Sequence, residues 1–261
     1  MPEQDYTSRW PEEGAAPPPP EPFDRPRAGR VLARTLRRGY ESLGTIALGS
    51  LAWSLLVPTL GALAVAASSR SLLGLLLVVP FAAGTAAAQA AVWYAGYQLA
   101  IGTSQGPRDL PQGVICCFLP SLGVTLVLLA ALLLLAANLL FYGSLGGWAA
   151  VMVAVFLVYA ALFLLAVYLY AYAFIVQQGA GTRLALYRAA LVALDNPLFT
   201  GELVLAQLVL WAFALLPLVL ALPFLSGLSV LWLLFAAAGT SALLSNEALR
   251  EVMRKYQTEA G

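Results

Sequence analysis

The sequence predicts an all-α fold: a polytopic membrane bundle of six transmembrane helices with two interfacial amphipathic helices. Composition is the first reason, because apolar residues make up 61% of the 261 residues and charged residues only 10%, against about 25% charged residues in soluble domains. The distribution of charge is the second reason. Residues 72–101 carry no charge at all, and about 20 such residues are enough for a helix to cross the hydrocarbon core.

The six predicted spans cover residues 43–67, 72–101, 114–142, 148–176, 197–222 and 228–246. They are predicted as helices because lipid offers no hydrogen-bond partner to open backbone groups. The apolar runs are also too long and too uniform for barrel strands, which alternate between apolar and polar residues.

The basic residues predict the orientation of this bundle. With six crossings, thirteen of the fourteen lysines and arginines lie on one face of the membrane, and only Arg70 lies on the other. Cytoplasmic segments carry the excess of basic residues in membrane proteins. We therefore expect a multi-pass protein of the cell (inner) membrane with both termini in the cytoplasm.

Residues 1–26 differ sharply from the rest of the chain. They contain half of the sixteen prolines and six of the thirteen acidic residues, and such a segment lacks the apolar surface that a packed core needs. We expect a disordered, Pro-rich cytoplasmic tail, with a Pro-rich docking peptide as the alternative. The transmembrane domain then extends over residues 27–256.

Residues 28–42 predict the first interfacial helix. Its apolar residues recur near helical spacing, and basic residues lie between them, which is typical of a helix in the headgroup region. Anionic lipid attracts each basic residue near the surface by about 1 kcal/mol. The predicted membrane-surface residues of this helix are Arg30, Arg34, Arg37 and Arg38.

Residues 182–195 predict the second interfacial helix, with Thr182 as its N-cap. Arg183 and Arg188 are expected to extend their charged ends towards the membrane surface. The Asp195-Asn196-Pro197 sequence ends this helix and begins the next one, because proline fits the first helical position and asparagine is a good cap.

Small residues predict where the helices pack together. Small side chains let helix backbones approach closely, which drives association in lipid. The second span carries such a row, and its Ala-Ala-Gly-Thr sequence recurs at residues 237–240; this repeat is short enough to arise by chance. The predicted packing residues are Ala83, Gly84, Ala87, Ala91, Ala95 and Gly239.

Aromatic residues mark the ends of two spans. Trp93 on the second span, and Tyr168, Tyr170 and Tyr172 on the fourth, lie near the predicted cytoplasmic boundary. Tryptophan and tyrosine are enriched at membrane–water interfaces. We therefore expect these side chains to form an interfacial belt, without a role in binding a ligand.

Glu202 is the candidate functional residue, as a carboxylate inside an apolar segment. In one interpretation it is a helix-start residue, stabilised by the helix dipole and by free N–H groups. In the other it faces the bundle and pairs with Asn246 or Gln98, where it binds a proton, a cation or a partner's arginine.

Two segments resemble the YesL-like family of bacterial membrane proteins. In the first, the sequence GTAA at 84–87 leads into Trp93-Tyr94; in the second, NPLFT at 196–200 is paired with TSALLSN at 240–246. The first span departs from the family pattern around Trp53. The resemblance covers residues 28–255 and implies an accessory membrane protein, since the family has no established activity and some members are associated with carbohydrate uptake.

Three classes of function compete. An enzyme is disfavoured because the chain has no histidine and the spans hold almost no ionisable residues, so we expect no catalytic, cofactor or metal site. A small-solute transporter needs polar groups near the bilayer midplane, for which Gln89, Asn138 and Gln207 are a small set. We expect an accessory or scaffold subunit whose partners are the lipid bilayer and either another membrane protein or further copies of itself, not nucleic acid.

Overall fold

The computed structural model describes residues 26–68, 73–220 and 223–259, and these ranges are helical apart from short connections, with no β-strand among them. The all-α prediction is confirmed. A 3-10 turn (Gly106–Arg108) precedes α4, and a π-helical segment (Leu233–Ala237) joins α8 to α9. The helices of the described ranges are α1 (Ala28–Glu41), α2 (Leu43–Ser68), α3 (Leu73–Ile101), α4 (Asp109–Leu145), α5 (Gly147–Gln178), α6 (Thr182–Asp195), α7 (Pro197–Val219), α8 (Pro223–Trp232) and α9 (Ala238–Glu259).

Two parts of the sequence prediction fall outside this description. Residues 1–25 of the predicted tail lie outside the described residues. Arg70, between α2 and α3, also lies outside them. The two segments that we predicted as interfacial helices form separate 14-residue helices, α1 and α6.

Several described helices are long and apolar enough to cross a bilayer. Four such stretches occur, and a fifth is obtained if α1 and the first half of α2, which meet at an angle of 95°, are counted as one span. We expected six. The helix α3 is not among these stretches, and its residues from Ala82 to Ala100 are rich in alanine. The four stretches are Gly106–Ser144, Ala150–Gln178, Pro197–Leu216 and Gly227–Tyr256.

The composition of α3 follows from its central position. It packs against α2, α4, α5 and α9, so it needs small side chains that let neighbours approach. The helix α1 bends away from α2 and packs against α9. This arrangement brings the end of α3, the whole of α1 and the second half of α9 together at one end of the bundle.

The most apolar helices are also the least buried, which is the reverse of a water-soluble fold. Only 17% of the most apolar window of α4 and 11% of that of α5 are buried, compared with 44% for the stretch that contains α9. An exposed apolar face of this extent is typical of a surface in contact with lipid. Its large exposed side chains include Leu126, Val127, Leu132, Leu133, Leu134, Val151, Met152, Val155, Phe156 and Tyr159.

The ends of α5 and α6 have clear local causes. Gly179 ends α5 in the left-handed conformation (φ 61°), and its N–H donates to the carbonyl of Ile175 over 3.0 Å, which is a common helix stop. The prediction of Thr182 as N-cap is wrong, because Gly181 holds that position. The Thr182 hydroxyl instead donates to the carbonyl of Pro120 over 3.2 Å and so ties α6 to α4.

The π-helical segment lies against two serines of α2. The Ser54 hydroxyl donates to the carbonyl of Leu233 over 2.8 Å, and the Ser50 hydroxyl accepts from the N–H of Gly239, also over 2.8 Å. A π segment displaces the regular hydrogen-bond ladder, and lipid cannot satisfy the groups that it leaves open. The two serines supply the partners that stabilise the segment.

Candidate functional site

The end of the bundle where α1, α3 and α9 meet carries a cluster of opposite charges. Three arginines of α1 are spaced four residues apart, at Arg30, Arg34 and Arg38, and two glutamates of α9 have the same spacing, at Glu247 and Glu251. Residues four apart share one face of a helix. The packing of α1 against α9 therefore sets a row of guanidinium groups against a row of carboxylates.

The contacts across the two rows are direct. Arg34 donates a hydrogen bond to Glu251, and Arg38 donates one to Glu247. Longer ion pairs join Arg30 to Glu251 (3.6 Å) and Arg34 to Glu247 (3.8 Å). Each glutamate is thus shared between two arginines of α1. We call these residues, with Arg250 and Arg254, the arginine–glutamate cluster.

The two carboxylates of the cluster are buried. The side chain of Glu247 is 1% exposed and that of Glu251 is 5% exposed, whereas their partners Arg34 and Arg38 are 26% and 32% exposed. An ionised carboxylate removed from water is costly unless it is paired. The arginines provide that pairing and still reach solvent along their outer edges.

Arg250 and Arg254 extend the cluster along α9 itself. Arg250 lies 3.8 Å from Glu247, and Arg254 lies 3.7 Å from Glu251. Arg250 also donates to the carbonyl of Ala100, and so does Arg38. This carbonyl belongs to the last turn of α3, where helical carbonyls lack intrahelical partners and the dipole favours cations.

The sequence prediction missed Glu247 and Glu251. The signal was present in residues 247–254, where acidic and basic residues alternate at helical spacing beside the basic helix α1. We treated the arginines of α1 as lipid-facing, because a sequence alone does not show which face of an amphipathic helix meets another helix.

The predicted membrane-surface arginines separate into two groups. Arg30, Arg34 and Arg38 face α9. Arg37 lies on the outer side of α1, where its side chain is 82% exposed and pairs with Glu41 at 3.0 Å. The two arginines of α6, Arg183 and Arg188, are both exposed. Arg188 donates a hydrogen bond to the side-chain oxygen of Gln178 on α5.

Glu202 lies on the exposed side of α7. Among the described residues, the Glu202 carboxylate is not paired with Asn246 or Gln98. The amide oxygen of Gln98 instead accepts a hydrogen bond from the Thr103 hydroxyl over 2.5 Å. Glu202 lies beyond the first turn of α7, which holds no acidic residue, and both interpretations of its role stay predictions.

Asn246, in contrast, is fully buried and joins three helices. Its side-chain N–H groups donate to the carbonyls of Trp93 on α3 (3.1 Å) and Ala242 (2.9 Å). The side-chain N–H groups of Gln177 on α5 donate to the backbone carbonyl oxygen and to the side-chain oxygen of Asn246, each over 3.0 Å. The amide therefore holds α3, α5 and α9 together, one residue before Glu247.

The predicted packing residues are only partly where we expected them. Ala91 and Ala95 are buried, but Ala83, Gly84 and Ala87 are half-buried. Gly239 lies close to α2: a Cβ there would lie 2.8 Å from the carbonyl oxygen of Ile46.

The prediction of an interfacial aromatic belt is wrong for most of the residues that we assigned to it. Trp93, Tyr170 and Tyr172 are no more than 2% exposed and form part of the core. The hydroxyls of the two tyrosines form hydrogen bonds with neighbouring helices: Tyr172 with Thr125 of α4 at 2.8 Å, and Tyr170 with Thr200 of α7 at 3.1 Å. The aromatic side chains thus bind the helices to one another.

The arrangement as a whole is suited to holding helices in register by charge. Among the described residues, no group of three or more cysteines and carboxylates comes together as a metal site. The guanidinium groups of the cluster can donate hydrogen bonds to carboxylates and other anions. In comparisons with known proteins, no family model, no curated protein and no solved structure matches the chain.

Proposed function

We propose that the chain is an integral membrane protein without catalytic activity, an accessory or scaffold subunit that packs with other membrane proteins. The observation that carries this proposal is the distribution of its polar groups. Asn246, Tyr170, Tyr172 and Glu247 each bond to a neighbouring helix, while the outer faces of α4 and α5 are broad and apolar. Such a molecule has a fixed interior and offers its outer surface to lipid and to other helices.

The proposed membrane arrangement has six crossings. The inner membrane is crossed by α2, α3, α4, α5, α7 and the continuous helical stretch of α8 and α9. The helices α1 and α6 lie at its cytoplasmic surface. The exposed apolar residues of α1 and α6, such as Leu36, Tyr40, Tyr187 and Leu194, support this placement, since they would dip into the interface. Both termini are then cytoplasmic.

A link to carbohydrate uptake rests on the resemblance of residues 84–94, 196–200 and 240–246 to the YesL-like family. Membership of that family remains our proposal, and it implies an accessory role beside a sugar transporter. Co-purification tests both ideas: the tagged full chain is extracted in a mild detergent, and stable partners are identified. We expect a membrane protein in a fixed ratio to the chain, or further copies of the chain itself.

Substitution of the exposed face makes this experiment specific. Phe156→Ala and Tyr159→Ala remove large exposed side chains from the first half of α5, whereas Ile115→Ala does so near the start of α4, at the other end of the bundle. A partner seated on α5 is lost with the first two variants and retained with the third. A full chain that purifies as a monomer without any partner contradicts the proposal.

A small-solute transporter is the second candidate, and the π-helical segment favours it. Interrupted helices are typical of transporter binding sites, and this interruption lies near a buried pair in which Gln207 donates to Ser241. The chain alone, reconstituted in liposomes, would then catalyse saturable uptake of a sugar, and Gln207→Leu would reduce it. An absence of flux in liposomes that contain folded protein favours the accessory role.

A further inference from the structure

An elongated groove runs along the cluster-bearing end of the bundle, between α3, α5, α6 and α9. It has two compartments, of about 590 Å³ and about 350 Å³, which share Gln178 and Met253 as lining residues. The Gln178 amide donates to the Met253 sulfur over 3.5 Å, so the two residues form a low ridge between the compartments. Both volumes are within the usual range of ligand sites.

The two compartments differ in chemistry. The larger one lies between α5, α6 and α9, and Phe174, Leu191 and Val192 give it an apolar lining. The smaller one lies between α3, α5 and α9, and its lining includes Gln177, Arg250 and Arg254. An apolar compartment beside a cationic one is complementary to an amphiphile with an anionic head.

The charge balance also favours an anion. Among the described residues, the lining of the smaller compartment holds two guanidinium groups, those of Arg250 and Arg254, and no carboxylate. Arg188 adds a further charge at the wall of the apolar compartment. The carboxylate that lines this compartment, Asp195, is already engaged by Lys255 (2.9 Å) and Tyr256 (2.5 Å).

We propose that this groove binds an anionic phospholipid of the surrounding membrane. Its phosphate lies against Arg250 and Arg254, and one acyl chain lies over Leu191 in the apolar compartment. Guanidinium groups match the geometry of phosphate oxygens, and basic pockets between helices at the cytoplasmic boundary are suited to acidic headgroups. The proposal rests on the membrane orientation given above, in which α6 lies in the interface.

Native mass spectrometry of the full chain in a mild detergent tests the headgroup. The protein is titrated with phosphatidylglycerol and with phosphatidylcholine of the same chain length. We expect one phosphatidylglycerol to bind preferentially. In the Arg250→Gln/Arg254→Gln variant its affinity falls about thirtyfold, from about fivefold for each basic residue near an anionic surface. Arg183→Gln is the matched control, an exposed arginine of α6 that does not line the groove, and it retains binding.

A second pair of variants tests the acyl chain. Leu191→Gln places an amide in the apolar compartment and weakens binding, whereas Leu194→Gln, on the same helix but outside the lining, does not. Glycerol phosphate, which lacks the chains, does not displace the lipid at equal concentration. Equal binding of both lipids, equal loss in both members of a variant pair, displacement by glycerol phosphate, or a polypeptide bound in place of lipid overturns the proposal. Each outcome is read on folded, membrane-extracted protein, so it is distinct from a failure of the accessory role.

Discussion

Glu247 shows how much a single buried charge can determine at the residue scale. Its carboxylate contacts Arg38, Arg34 and Arg250, which come from two different helices. The glutamate therefore neutralises guanidinium groups that would otherwise repel one another at the same end of the bundle. Its removal leaves three cations in proximity, in addition to the loss of one hydrogen bond.

We predict that Glu247→Gln lowers the free energy of unfolding by about 3 kcal/mol, because breaking a buried ion pair leaves an uncompensated charge. The value is at the low end for such pairs, since the arginines are partly exposed and screened. Thermal unfolding of the purified protein in detergent measures the loss. Glu202→Gln, at an exposed carboxylate, is the control and should change stability by no more than about 0.5 kcal/mol.

A double substitution separates pairing from burial. If Arg38 and Glu247 stabilise each other, Arg38→Gln/Glu247→Gln loses less stability than the sum of the two single changes. Additive losses would show that the pair contributes nothing beyond its separate side chains.

Retention of partner binding and of any activity in Glu202→Gln would assign Glu202 to the role of a helix-start residue.

Gly239 is the second residue whose effect depends on one contact. A Cβ there would lie 2.8 Å from the Ile46 carbonyl oxygen and 3.0 Å from the Ile46 Cα, both backbone atoms that cannot rotate away. We predict that Gly239→Ala destabilises the fold by about 1–3 kcal/mol, as overpacking does. Thermal unfolding in detergent is again the measurement.

Gly201→Ala is the matched control for this substitution. Nothing lies within 4 Å of a Cβ at that helical position, so the change should be neutral or stabilise the helix by up to about 1 kcal/mol. Equal effects of the two variants would show that α9 and α2 do not approach as closely at Gly239 as the structure indicates.

At the scale of elements, the π-helical segment depends on the neighbouring helix α2. The Leu233 carbonyl and the Gly239 N–H each have one serine partner, Ser54 and Ser50. We predict that Ser54→Ala costs about 1–3 kcal/mol, because a buried carbonyl loses its donor. Ser144→Ala is the control: that hydroxyl bonds within its own exposed turn, and its loss should be small. A Ser54→Ala protein as stable as the parent would mean that the π segment finds another donor.

The attachment of α6 to α9 should depend on pH. Hydrogen bonds from Tyr256 and then Lys255 hold the pKa of Asp195 below its usual value of 3.8. The stability that these contacts contribute is therefore fully present above about pH 4 and is lost as the pH falls through the lower pKa of the folded state. Because Asp195 is 51% exposed, we expect less than about 1 kcal/mol.

Asp195→Asn tests this dependence. The variant should lose the part of the acid sensitivity that arises below pH 4, as measured by unfolding in detergent across that range. Tyr256→Phe should reduce it to a smaller extent. An unchanged pH profile in Asp195→Asn would show that other carboxylates account for the acid response.

At the scale of the whole molecule, the proposed orientation predicts which segments are accessible from each side of the membrane. Both termini and the segments around Arg108 and Arg183 should react with cytoplasmic probes, because thirteen of the fourteen basic residues share that face. A tag inserted after Arg70 should be reached only from outside. Single-cysteine labelling of intact cells and of inverted vesicles, in a background without Cys116 and Cys117, measures this. A tag after Arg70 that is accessible only from the cytoplasm would contradict the arrangement.

The helices themselves were predictable from the sequence. Long apolar runs with few charges favour helices in lipid for a reason that does not depend on partners: the backbone must satisfy its own hydrogen bonds. The end of α6 and the start of α7 at Pro197 followed from local chemistry as well. The sequence also indicated α1 as a separate amphipathic helix, although not the surface that it contacts.

The candidate site was not predictable in the same way. The arginines of α1 and the glutamates of α9 are more than two hundred residues apart, and each row by itself is typical of a solvated or lipid-facing surface. The bend between α1 and α2 decides which of these surfaces become an interface. Likewise the burial of Trp93 and Tyr172 depends on the neighbours of α3 and α5.

The sequence by itself thus determined that the chain forms apolar helices, because secondary structure in this composition follows from local hydrogen bonding and hydrophobicity. Only the tertiary structure decided which polar groups meet. Glu247 and Glu251 became buried ion-pair partners, and Glu202 remained exposed, although all three are carboxylates at the ends of apolar segments. The physical reason is that a charge is stabilised by the groups around it, and those groups come from helices that are distant in the chain.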